Sequence, residues 1–480
     1  MLATNHYNCG LTSNNFSQNS FTVNVKSIFL NNNNPRWEID VLDSKAITKI
    51  QSVIIITIIV VAAVGGSTAY VLLSGDDPSS EIIKIGVLAD LDGPHGKSIW
   101  QGVVFAAEQI NAEGGLLGIE IEVIGEDTDF ESGADIVKIS SALTRLLTYH
   151  NVDFVIAHLS AEAGLMAQDL IADHKKIMIL IGGISDTFSQ RVLDNYEQYK
   201  YFFSVTLNAT SIFQGMTESL LLLRENTGFN KIGILAEDLG WTKGIMEGLD
   251  YVLPEVHGFD LAYKGAFPIG AVDFSSYFAA AEVAGVEVLF PLIRGDSGIP
   301  FIKEHFDRQS PMIVYGGVLF SVSVPESWAW TDGKCDHLIT VAYPIVAGFA
   351  LTSKTLSVID EYSERWDENP SNMGGWAYDS LRYILADAIV RAESINTEFV
   401  IEALEKTSIE ITSAKNFVFT SSHGVMMGEN PNNPEKDYVL ALLFQWQNGK
   451  MVPVYPKKIM EAAGATYTYP DWPGPWDNLN

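Results

Sequence analysis

The stretch 82–129 constrains this chain most. It opens with an apolar run, Ile83-Lys84-Ile85-Gly86-Val87-Leu88, and passes through a short Gly/Pro loop, Asp92-Gly93-Pro94-His95-Gly96. A helical pattern follows, stopping at Gly114-Gly115 before a second strand pattern. Within the helix, Ile99, Val103, Ala106, Ala107 and Ile110 recur every three to four positions and line one face. The first strand is apolar nearly throughout, as a strand covered on both faces must be. This is a β-α-β unit, and parallel neighbours joined by a helix imply an α/β sheet. Its loop lies between the carboxyl end of the strand and the amino end of the helix. There backbone N–H groups are unpaired, and ligands of open α/β sheets bind at such places.

The same grammar repeats along the chain. A helix bearing Ile136, Ile139, Leu143, Leu146 and Leu147 is followed by a strand at 154–157, a helix through Leu165 and Leu170, and a strand at 177–181. After Phe203-Ser204 a second set begins, with strands predicted at 232–235, 261–265 and 286–290 and helices between them. Strands alternating with helices predict parallel sheets. A chain of 480 residues exceeds one comfortable core, so two lobes are expected.

The amino-terminal region reads differently. Residues 1–44 are rich in Asn and lack apolar periodicity, which predicts an unfolded leader. Within 45–75, Lys45 and Lys49 precede the run 53–73, which holds 21 residues without a charge. At about 1.5 Å per residue such a helix spans the roughly 30 Å hydrocarbon core of a bilayer. Lysines before the run, and Asp76, Asp77 and Glu81 after it, place the globular part outside the cytoplasm. An uncleaved membrane anchor is the preferred reading. A signal peptide cut near Ser67 and Ala69 is the alternative.

Net charge is −29, and only four of the 30 basic and three of the 59 acidic residues precede residue 76. The acidic excess therefore belongs to the globular part, which repels nucleic acid and anionic lipid. No run of like charges stands out, so the acidity reads as a solvated surface. Of the two cysteines, Cys9 lies in the leader and Cys335 stands alone, so no disulfide forms within the globular part. There is no Walker loop, G-x-S-x-G elbow, H-E-x-x-H or C-x-x-C, and the nine histidines show no metal-ligand spacing. Neither catalysis, cofactor nor metal has support in these motifs.

The wording IKIGVLADLDGPHGKSIWQGVVFAAEQINAEGGLLG resembles the opening of the branched-chain amino acid type of ABC-transporter substrate-binding protein, the periplasmic binding protein type I (leucine-binding-protein-like) family. The likeness continues through NVDFVIAHLSAEAGLMAQDLIADHKKIMILIGG, DFSSYFAAAEVAGVEVLF, WAYDSLRYILADAIVRA and FQWQNGKMVPVYP, in order, over 82–456. The resemblance implies an α/β fold of two lobes, each a parallel sheet flanked by helices, joined by a three-strand hinge. Lobe one would comprise 82–205 and 342–415, and lobe two 206–341 and 416–456, with 457–480 a tail without signal. It also implies extracytoplasmic capture of an amino acid or related small carboxylate between the lobes for an ABC permease and its ATPase, without enzymatic activity. The alternative is the ligand-sensing ectodomain of a membrane receptor, a role the same fold serves.

Site residues follow from the resemblance, weighed against plainer roles. His95 stands where the family often has an aromatic lid, or is an ordinary loop histidine. In His158-Leu159-Ser160-Ala161-Glu162, Ala161 takes the place of the family's hydroxyl donor to the ligand carboxylate, and Ser160 is a ligand contact or a helix N-cap. Gly182-Gly183-Ile184-Ser185 matches a loop that supplies a carbonyl and a threonine; Ile184 holds the threonine's place and Ser185 is the shifted substitute. In Asp238-Leu239-Gly240-Trp241, the ring of Trp241 stacks over the ligand side chain or packs on its own helix. The loop 291–297 carries Asp296 one place before the family's acid, where Ser297 aligns, and an unexpected Arg294 that suits an acidic ligand or a surface ion pair. Trp376-Ala377-Tyr378-Asp379 resembles a motif that is structural in most members.

Overall fold

The computed structural model describes residues 82–129, 135–293, 297–315, 318–319, 327–342 and 349–479. The leader 1–44, the apolar run 53–73, and Arg294 and Asp296 lie outside the described residues, and for Trp241 only the backbone is described.

The first lobe runs β1 (Ile82–Ala89), α1 (Pro94–Ala112), β2 (Glu120–Asp127), α2 (Ile136–Thr144), β3 (Phe154–Ala157), α3 (Ala161–His174), β4 (Ile177–Leu180), α4 (Thr187–Asp194) and β5 (Phe202–Ser204). Its strands are all parallel, in the order β2-β1-β3-β4-β5. The central strands β3 and β4 are buried at every residue, whereas the edge strand β2 is partly exposed, which is why only the former are uniformly apolar. The asparagine ahead of the glycine pair has a specific task. Asn111 Oδ1 accepts from Ile121 N at 2.8 Å and its Nδ2 donates to Ile121 O at 2.9 Å, pinning the end of α1 to β2.

The second lobe contains α5 (Ala209–Thr227), β6 (Lys231–Glu237), α6 (Gly240–Tyr251), β7 (Asp260–Phe267), α7 (Ser275–Val283), β8 (Val288–Ile293), α8 (Gly298–Asp307), β9 (Ile313–Val314) and β10 (Val318–Leu319). Sheet order is β10-β8-β6-β7, with β9 also beside β8. Pro291 sits within β8 without cost to the ladder. On that side β9 pairs Val288 and Leu289 while β10 pairs Leu292 and Ile293, so the missing N–H falls at the break between partners.

After β11 (Ile339–Ala342) the chain packs against lobe one through α9 (Thr355–Trp366) and α10 (Asn372–Asp379). The Tyr362 hydroxyl donates to Gln101 Oε1 at 2.9 Å, the Tyr378 hydroxyl donates to Gln109 Oε1 at 2.6 Å, and Arg365 pairs with Glu108 at 2.8 Å. Next come α11 (Ala386–Ala392), α12 (Thr397–Glu405) and a hairpin of β12 (Ser408–Ile409) and β13 (Phe417–Val418). Just beyond it, His423 O accepts from Ser204 N at 2.9 Å, and the His423 ring stacks on Phe203 with centroids 4.0 Å apart. The segment around His423 thus lies along β5.

Strands β14 (Leu442–Gln447) and β15 (Lys450–Tyr455) join β11 in an antiparallel sheet. Phe444 and Trp446 from it enter a core cluster with Phe278 and Phe301 of lobe two. The tail beyond α13 (Lys457–Ala462) is docked on this sheet. The Gln445 amide acts as a backbone mimic for Thr468, donating to its O at 2.8 Å and accepting from its N at 2.9 Å. Trp472 Nε1 donates to Ser310 O at 3.0 Å, and Trp476 is 1% exposed. Among the described residues no helix is long and apolar enough to cross a membrane.

Candidate functional site

Adjacent strands β1, β3 and β4 deliver three loops to the carboxyl edge of the first sheet. At the end of β1, Asp90 Oδ1 accepts from Gly93 N at 3.1 Å and folds the chain sharply back into α1. Position 96 must be glycine: a Cβ there would stand 1.6 Å from Asp90 O. Pro94 begins the helix, where its absent N–H costs nothing. His95 follows in the first turn. Burial pushes its imidazole down to about 4, so the ring is neutral at physiological pH.

At the end of β3, His158 N donates to Leu88 O at 2.9 Å, extending the ladder by one residue and holding a buried imidazole at the sheet edge. Ser160 is the N-cap of α3, its Oγ accepting from Ala163 N at 3.2 Å. Capping consumes a lone pair and leaves the hydroxyl proton to donate elsewhere. Ala161 is the first residue of α3, and by helix geometry its N–H has no acceptor within the helix. At the end of β4, Gly182 adopts φ 136°, and a Cβ on it would lie 2.6 Å from the His158 ring. Gly183 follows at φ 73°. The β3 and β4 loops therefore interlock through an imidazole lying on a glycine. Ile184 packs against the hydrophobic core, and Ser185 Oγ accepts from Thr187 N at 3.2 Å as α4 begins.

Lobe two presents the ends of β6 and β8. Glu237 closes β6 and is 1% exposed. The Thr242 hydroxyl donates to Glu237 O at 2.5 Å and accepts from Leu239 N at 3.2 Å, fixing the turn that starts α6. Trp241 is the second residue of that helix. At the amino end of α8, the buried Ser297 hydroxyl has no hydrogen-bond partner among the described residues. Thr128 and Thr206, just past the ends of β2 and β5, are also buried, with hydroxyls lacking a partner among the described residues. Buried hydroxyls of this kind ask for water or ligand, and all three follow strand carboxyl ends. The lobes meet here: Glu162 Oε1 lies 3.6 Å from the place a Cβ on Gly240 would take.

The structure thus gathers Ser160, Ala161, Gly182 and Gly183 at the ends of neighbouring strands, with His95 one strand away on β1 and Ser185 at the start of α4. It adds His158 and Glu237, which the sequence reading left out of the site. The signal available for both was position, since each stands at or just past the carboxyl end of a buried strand. Among the described residues no group of His, Cys, Asp and Glu is arranged to hold a metal ion.

A family model described as "Periplasmic binding protein" matches residues 82–429. The chain belongs to that family. Leu/Ile/Val-binding protein homolog 7 of Brucella melitensis is 23% identical over 400 residues, covering 80% of this chain and 94% of its own length. Among solved structures, a putative branched-chain amino acid ABC transporter protein from Silicibacter pomeroyi matches with a TM-score of 0.69 at 18% identity, over 82% of this chain and all (100%) of the other. The branched-chain amino acid transporter substrate-binding protein of Streptococcus pneumoniae, in complex with isoleucine, gives 0.64 at 20% identity, over 78% and 100%. A solute-binding protein of an ABC transporter from R. palustris, in complex with benzoate, gives 0.62 at 14% identity, over 78% and 96%. The two-lobed α/β architecture is that of a periplasmic solute-binding protein.

Proposed function

We propose that the protein captures a small carboxylate, an amino acid or an acid without an ammonium group, between its lobes and hands it to an ABC importer without chemical change. The observation that carries this reading is the set of loops at the ends of β1, β3 and β4. Its donors suit a carboxylate: the Ser160 hydroxyl proton, the N–H groups of the first turn of α3, and the positive end of that helix. A neutral His95 adds a hydrogen-bonding wall without a competing charge. Relatives that carry isoleucine and benzoate mark the two ligand classes, with and without an ammonium. The apolar run 53–73 favours a second reading, a receptor ectodomain, which loss of uptake on deletion distinguishes from transport.

Ligand class turns on Arg294 and Asp296. A buried ammonium needs a carboxylate partner, so for an amino acid Asp296→Ala should weaken binding by roughly 2 to 5 kcal/mol while Arg294→Ala matters little. For an acid without an ammonium, Arg294 pairs with a second carboxylate and the order reverses. A thermal-shift screen over amino acids, amides and short carboxylic acids, followed by calorimetry of both variants, reads this directly. Recovery of the ligand chemically altered, or no binding across the whole screen, would reject the capture function.

A further inference from the structure

Two carboxylates of lobe one lie at the amino ends of helices of lobe two. Asp186, directly after the loop 182–185, accepts from the Thr210 N–H with both oxygens at 3.3 and 3.2 Å, and from the Thr210 hydroxyl at 2.9 Å. Helix α5, which carries Thr210, is part of lobe two. The Tyr315 hydroxyl donates to Ser219 O on α5 at 2.8 Å, and Phe213 of α5 packs on Gly248 of α6. This helix already has its own N-cap: Asn208 accepts from Ser211 N at 2.8 Å. The first-turn N–H of Thr210 is left to an acceptor outside the helix, and that acceptor is an acid from the other lobe.

Glu162 repeats the pattern. It stands in the first turn of α3, and its Oε1 lies 3.6 Å from the place a Cβ on Gly240, the first residue of α6, would take. Helix α6 has no acid in its first turn, and the nearby Asp238 is engaged by Lys243 at 2.7 Å. Asp186 is thus bonded to, and Glu162 lies beside, the amino end of a helix with no acid in its own first turn, where the attraction of the helix dipole is felt.

We propose that Asp186 and Glu162 form an interlobe latch: two carboxylates beside the ligand loops that position those loops against the amino ends of α5 and α6. The inference rests on the two-lobed capture reading and deepens it. Asp186 follows the loop 182–185 and Glu162 follows Ser160 and Ala161, so the loops that receive the ligand are also the parts fastened to the opposite lobe. Both are positioning residues, acting on the site through the loops they hold.

Hydrogen exchange on the full chain without any ligand tests the latch, because a change made in one lobe is read in the other. Thr210→Val, in lobe two, should speed exchange of the lobe-one amides 182–187 about tenfold, as loss of one charge-assisted hydrogen bond implies. Asp186→Asn and Asp186→Ala should do the same at 209–214, and Glu162→Gln at 240–244. Strands β3 and β8 should exchange as in the native protein. Glu162 is exposed, so its effect should shrink at high salt. Unchanged exchange in the opposite lobe, or acceleration throughout the mutated lobe's own sheet, overturns the latch. No ligand is added, so a failed ligand screen and a failed latch are separate results.

Discussion

Asp379, the last residue of α10, is fully buried. Its buried carboxylate accepts from Thr412 N at 3.0 Å, Thr412 Oγ1 at 2.7 Å, Ser413 N at 3.2 Å and Ser413 Oγ at 2.7 Å, fastening α10 to the segment after β12. Desolvation outweighs these bonds and pushes its carboxyl from 3.8 up to about 6. His305 is shifted oppositely: buried, with Nε2 donating to Met312 O at 3.0 Å, it is pushed from 6.5 down to about 4 by desolvation. The signs differ. Asp379 binds its proton more tightly in the fold, so its contribution is full below 3.8 and lost as pH climbs through about 6. His305 resists protonation in the fold, so its contribution is present above 6.5 and lost as pH falls through about 4. In urea unfolding from pH 4 to 7, the stability deficit of Asp379→Asn should shrink as pH rises, by about 1 to 3 kcal/mol. That of His305→Gln should shrink as pH falls. Deficits that stay parallel across the range would show that neither group titrates as its burial requires.

At the scale of elements, the C-terminal tail joins parts distant in the chain. Trp476 donates from Nε1 to Pro470 O at 3.0 Å and stacks with Tyr469, while Trp472 meets Phe306 edge-on at 5.4 Å. These contacts cover the α8 side of lobe two. Trp476→Ala should therefore cost about 3 to 5 kcal/mol, the usual range for emptying a buried tryptophan site. The loss should appear in exchange rates of β14 and β15 but not of β3 and β4. An equal loss in both lobes would mean that the tail supports the whole fold. Nothing in its Pro/Trp pattern announced this: it has neither helical nor strand period, and its order comes from sockets built by 305–315 and 445.

For the whole molecule, the family supports an extracytoplasmic location, and the membrane anchor remains a proposal resting on 53–73 and its flanking charges. The full-length chain should sediment with membranes after alkaline washing, and a chain beginning at Asp77 should be soluble. A mature protein recovered in the soluble fraction with its amino terminus at Tyr70 would replace the anchor with a cleaved signal. Either outcome leaves the globular part extracytoplasmic; among the described residues it holds one buried cysteine and no disulfide. A core of this size is stabilised by burial and does not need a crosslink.

The sequence by itself determined the alternation of strands and helices, the parallel sheets and the family, because uniform burial of strands and single-face burial of helices write periodic patterns into local sequence. It also determined which loops follow the strand ends. Only the tertiary structure decided what the residues on those loops do. Ser160 is a cap that keeps a proton to donate, Ile184 faces the core, and the His158 ring rests on Gly182. The structure alone set the hairpin near His423 beside β5 and joined Asp186 to Thr210 across the lobes. Such pairings link residues far apart in the chain, and no local period records which distant partner will complete a hydrogen bond.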